Sequence, residues 1–146
     1  MRCRAATVVL CALVAGCGGG GNEFPTGNWE ANVLSTAGKS APLNPRVLRA
    51  RAEYRADGTW EFFYRFEDGG WTQTTSGTYS TTEDTISFEA DSDCAVQRPH
   101  VEQGTYAWAL DDKGRLILNA QYDPCPARVE DLDGNAYTRV GPPPEP

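Results

Sequence analysis

At 146 residues, with a formal net charge of −7 and a pI near 4.6, the chain has the size of one domain and is strongly acidic. So few bases argue against a nucleic-acid partner, which needs clustered Lys and Arg, and leave two readings: a surface kept soluble by like charge, or one that attracts a cationic protein. With a single His, no Gly-x-Ser-x-Gly elbow, no phosphate loop and no His pair at zinc spacing, the sequence predicts no enzyme, no metal and no cofactor.

Arg2 and Arg4 precede an apolar run from Ala5 to Val14 that ends in Leu13-Val14-Ala15-Gly16-Cys17, the layout of a secretory signal peptide over residues 1–16. The run is about half the ~20 residues a spanning helix needs, and Gly18 to Gly21 oppose its continuation. Val14 to Cys17 resembles the bacterial lipobox. That resemblance implies cleavage before Cys17, acylation of Cys17, and an exported chain anchored by lipid to the cell membrane or outer membrane on its envelope side. Two or three acyl chains would hold firmly where one holds marginally. Arg2 and Arg4 leave with the leader and no acid does, so the mature charge falls from −7 to −9.

Residues 17–26 read as the lipidated Cys and a Gly-rich tether, residues 27–140 as the domain, and residues 141–146 as a Pro-rich disordered tail. With Cys3 and Cys11 in the leader and Cys17 lipidated, Cys94 and Cys125 remain and are expected to form a disulfide in an oxidising compartment, worth roughly 3–4 kcal/mol. The alternative, a Cys94 thiol with His100 as its base, is disfavoured because neighbours in one loop seldom supply such a pair.

Within the domain, period-two alternation dominates. Asn28 to Leu34 is the first strand candidate. Val47 to Ala56 sets Leu48, Ala50, Ala52 and Tyr54 against Arg49, Arg51, Glu53 and Arg55; after the Asp57-Gly58 turn, Thr59 to Glu67 carries Trp60, Phe62, Tyr64 and Phe66 on one face. Phe63 falls on the otherwise polar face. Trp71 to Ser80, Thr85 to Ala90, Gln103 to Leu110, Arg115 to Gln121 and Asn135 to Val140 complete about eight strands, Ala127 to Leu132 offers one helical turn after Pro126, and Asp131 and Asp133 read as solvated turn residues. Sequential hairpins predict an all-β fold, a small antiparallel up-and-down barrel.

Gly27-Asn28-Trp29 matches the Gly-x-Trp signature of lipocalins, and Ala56 to Trp60, Ser76 to Tyr79, Asp84 to Phe88, Gly104 to Tyr106 and Asp123 to Cys125 resemble stretches of bacterial lipocalin-like domains. The resemblance spans about Gly27 to Val140 and lacks the second, Thr-Asp-Tyr type of motif. It implies that Arg139 packs across Trp29 to close the barrel at Gly27, and that the interior takes a small hydrophobic or amphipathic ligand. Trp60, Phe62, Tyr64, Trp71, Tyr79, Phe88, Tyr106 and Trp108 are the candidate lining. The alternative function is a protein-binding envelope lipoprotein, lysozyme-inhibitor-like or a scaffold.

Overall fold

The computed structural model describes residues 23–32, 47–67, 69–89 and 103–141. Residues 1–22, which hold the expected leader, Cys17 and most of the expected tether, lie outside the described residues, as do Cys94, His100 and residues 142–146.

Eight strands follow one another: β1 (Gly27–Asn32), β2 (Val47–Tyr54), β3 (Thr59–Phe66), β4 (Trp71–Thr81), β5 (Thr85–Phe88), β6 (Gly104–Leu110), β7 (Leu116–Tyr122) and β8 (Ala136–Gly141), with one helix, α1 (Pro126–Leu132), between the last two. Each pairs antiparallel with the next, and β8 returns to β1, so the sheet closes into an up-and-down barrel. The turns have local causes. Gly58 and Gly114 take φ of 82° and 70°, and Asp57 and Asp111 fold the chain by accepting bonds from the backbone N–H of Thr59 and of Lys113 and Arg115, each at 2.9 Å.

Two bulges interrupt the register, and one of them overturns strict alternation. The register of β2 on β3 slips between Val47 and Arg49, so Val47 points inward and Leu48, expected inside, is 43% exposed. A second slip, between Phe62 and Phe63, adds Thr74 to β4 without turning Phe63 inward: it stands opposite Arg51 and Gln73 on the outer wall. Inside, large rings face small residues across strands. Ala50 pairs with Tyr64 and Ala52 with Phe62, and this alternation lets Trp60, Phe62, Phe88 and Tyr106 fill the bore.

The barrel has two rims. The lower is formed by the start of β1, the end of β8 and the β2–β3, β4–β5 and β6–β7 turns; the upper holds the β3–β4 turn and α1. Where one helical turn was expected, α1 runs seven residues and buries Arg128, Asp131 and Leu132. The seam between β7 and β8 is short, only Leu116 with Tyr137 and Ile117 with Ala136, because α1 intervenes; above it Asp133 takes over, accepting from the Ala120 N–H at 2.8 Å.

Candidate functional site

Of the eight aromatic candidates for a ligand lining, Trp60, Phe62, Phe88 and Tyr106 lie in the bore at 0–1% exposure and touch one another: the Phe88 ring is 4.8 Å from Trp60 and 5.6 Å from Tyr106. Tyr64, Tyr79 and Trp108 pack at the edge of this cluster. Trp71 does not join them, which corrects the expectation. It pairs with Arg65 on the outer wall, where the Arg51 guanidinium sits 4.2 Å from its ring. The sequence could not separate these because an aromatic at a strand's start satisfies either face.

The lower rim is closed from within the chain. Phe24 is buried against Tyr54, Tyr79 and Trp108 at ring separations of 5.1, 5.7 and 5.5 Å. Beside it Trp29 donates to the Pro25 carbonyl at 2.9 Å, and Arg139, 5.8 Å from the Trp29 ring, donates to the Thr26 carbonyl at 2.7 Å. Gly27 has φ of 139°, and a Cβ there would stand 3.1 Å from the Arg139 Nε, so Trp29, Arg139 and Gly27 occupy one corner.

The upper rim is closed by charge. Arg128 and Asp123 form an ion pair with side chains 1% and 0% exposed, bidentate at 2.6 and 2.8 Å. The other Asp123 bonds come from the Tyr106 hydroxyl at 2.5 Å and the Cys125 N–H at 2.8 Å, and Arg128 donates onward to the Glu89 carbonyl at 3.1 Å. Gly104 is required here, since a Cβ would stand 2.3 Å from Asp123 Oδ2. Asp131, expected on a solvated turn, is buried and accepts from the Tyr64 hydroxyl, while its carbonyl accepts from Tyr137 at 2.5 Å. These polar contacts pin α1 across the top of the bore. Nothing in their sequence spacing marks them as partners.

The outside is acidic at its turns. The lower-rim turns carry Asp57, Glu83, Asp84, Asp111 and Asp112, with Glu23 nearby, against Lys113 in the β6–β7 turn and Arg115, which pairs with Asp111 at 2.6 Å. The bond from Thr59 holds the Asp57 carboxyl below its usual range, and the bond from Arg115 does the same for Asp111, so both stay ionised into mild acid. A cleft of about 200 Å³ opens at this rim between Glu23, Phe24, Thr26 and Gly58, and another of about 280 Å³ lies on the outer wall between Glu30, Arg49, Arg115 and Thr138. Neither is lined by Trp60, Phe62, Phe88 or Tyr106. Over β1 to β3 the outer wall is laced by ion pairs: Arg49 and Arg51 on Glu30 at 3.4 and 2.6 Å, and Arg55 on Glu61 at 2.5 Å. No group of three or more His, Cys, Asp or Glu among the described residues could hold a metal.

Burial raises the hydroxyl pKa of Tyr54, Tyr106 and Tyr137 and pushes Tyr79 up to about 12, so these groups fold neutral. A raised folded pKa gives stability that is whole below the unfolded value of about 10 and is lost as pH rises past it. Alkaline titration should therefore show tyrosinate absorbance beyond that of the exposed Tyr122 and loss of β circular dichroism appearing together. Ionisation of every tyrosine with the fold intact would contradict the buried placement.

The fold and its contacts define a class: a closed eight-stranded barrel whose bore, among the described residues, is packed with aromatic rings, with Phe24 at one rim and α1 at the other. No protein-family model matches the sequence, and a search of curated proteins finds no match, so the lipocalin-like likeness rests on architecture.

Proposed function

We propose that the chain is an exported lipoprotein, acylated at Cys17, whose barrel recognises a protein partner in the cell envelope. The observation that carries the binding half is the filled bore: pockets for small ligands are concave and largely preformed, and the interior rings here pack on each other. The acidic lower rim is the recognition face, and a basic protein, a lysozyme among the candidates, is its partner. The Cys94–Cys125 disulfide belongs to the same reading. Supporting it, Cys125 is 1% exposed.

Mass spectrometry of the chain from bacterial envelopes should find acyl chains on Cys17; an unmodified Cys17 there would remove the tether. A basic lysozyme should associate with the domain in a salt-sensitive way, and neutralising the rim by Asp57→Asn, Asp84→Asn and Asp112→Asn together should slow association about tenfold. Undiminished association of that variant would sink the rim assignment.

The carrier reading, in which the barrel holds a small hydrophobic ligand, is favoured by one observation: the buried indole N–H groups of Trp60 and Trp108 have no acceptor among the described residues. Titration with fatty acids separates the two. Unchanged Trp fluorescence is expected, and a saturable spectral shift would restore the carrier.

A further inference from the structure

The cleft at the lower rim has a lining that the fold does not use. It opens between the chain before β1, the β2–β3 turn and the end of β4, and it holds about 200 Å³, below the ~300 Å³ at which pockets for small molecules begin. That volume suits one long side chain. Phe24, Ala56 and Gly58 give the cleft an apolar side, and Glu23 stands at its mouth with Thr26, Ser80 and Thr81, whose hydroxyls make no hydrogen bond among the described residues. Gly58 lets the turn come close to β4: its φ is 82°, and a Cβ there would stand 3.1 Å from the Tyr79 carbonyl oxygen. Charge around the cleft is one-sided. Asp57 adjoins it in the β2–β3 turn, and Glu83 and Asp84 follow it in the β4–β5 turn, whereas neither Ala56 to Trp60 nor Thr78 to Thr85 includes a base. The bases nearby are engaged, Arg55 with Glu61 at 2.5 Å on the outer wall and Arg139 with the Thr26 carbonyl at 2.7 Å, and Lys113 lies one turn further round the rim. With Arg139 counted, acids still exceed bases.

We propose that this cleft takes one arginine side chain of the basic partner, its stem along Phe24 and its guanidinium between Glu23 and the hydroxyls of Thr26, Ser80 and Thr81. The assignment rests on the reading of the acidic rim as a recognition face, and it makes the cleft the anchor of that face. A guanidinium suits this lining better than a lysine ammonium. It carries five donors in a planar fork for acceptors spread around the mouth, and its weaker hydration lowers the cost of entering a partly closed space. An anchor of this kind also divides the kinetics. Charges scattered along a rim act on the encounter, whereas a charge pair held in a cleft acts on dissociation.

The test uses the full chain and two probes. With Nα-acetyl-arginine amide, the amide NMR signals of Gly58, Tyr79 and Thr81 should shift and saturate, and the uncharged Nα-acetyl-citrulline amide should leave them in place. Glu23→Gln should weaken the arginine probe about fivefold. With a basic lysozyme, Glu23→Gln should raise the dissociation rate about tenfold and change the association rate by about twofold at most. Unchanged signals away from the cleft show that the variant is folded. Citrulline shifts equal to those of arginine, or an unaltered dissociation rate for a lysozyme that does bind the wild type, overturn the cleft and leave the rim reading standing. A saturable arginine shift that Glu23→Gln weakens, with no lysozyme bound at all, upholds the cleft and removes lysozyme as the partner.

Discussion

Arg128→Met should destabilise the barrel by about 3–5 kcal/mol, a large share of the ~5–15 kcal/mol of a domain this size. Methionine keeps the stem that fills the space beside Phe88, so the loss measures the charge. Without the guanidinium, the Asp123 carboxylate stays in a place that excludes water, still bonded to the Tyr106 hydroxyl and the Cys125 N–H but with no counter-ion. Asp123→Asn in the same background should recover part of the loss, since it removes the stranded charge and keeps a carbonyl for Tyr106. Urea unfolding followed by circular dichroism measures both. A single-variant loss under 1 kcal/mol would show that water reaches the pair and that α1 does not seal the upper rim.

Phe88→Ala is expected to cost a similar amount, about 3–5 kcal/mol, by a different route. The Phe88 ring sits between Trp60, Tyr106 and Tyr54, at 4.8, 5.6 and 6.3 Å, and its removal opens an apolar void that rigid neighbours cannot collapse. Such a void stays dry and accepts a small aromatic guest. Benzene should therefore raise the melting temperature of Phe88→Ala in a concentration-dependent way and leave the wild type unchanged. An equal rise in the wild type would mean that the bore has room, and the carrier function would return with it.

The course of the chain was legible because the elements that set it are local. Asp57-Gly58 and Asp111 to Gly114 are turn signals in their own right, and Trp60-x-Phe62-x-Tyr64 announces a strand with one wet face. Closure of the sheet was also within reach, since eight sequential antiparallel strands leave few other arrangements. What escaped was set by long-range geometry. The bulge at Leu48 inverts an inward assignment and depends on register with β3; Trp71 lies outside because Arg51, twenty residues earlier, covers its ring. The pairing of Asp123 with Arg128 and of Tyr64 with Asp131 looks in sequence like ordinary loop polarity. Its meaning arises only when α1 is laid across a rim. The filling of the bore was likewise illegible, because rings that line a cavity and rings that abolish one obey the same alternation.

Joining β1 to β8 brings Trp29 beside Arg139, almost the whole length of the domain apart in sequence. The ring therefore cannot be completed while the chain is still being threaded, whatever hairpins form earlier. Its last strand is the last to arrive, and that final pairing carries the largest loop entropy. Until then β1 keeps an unpaired flank, and a truncation that removes β8 should leave a half-built sheet prone to pair with copies of itself.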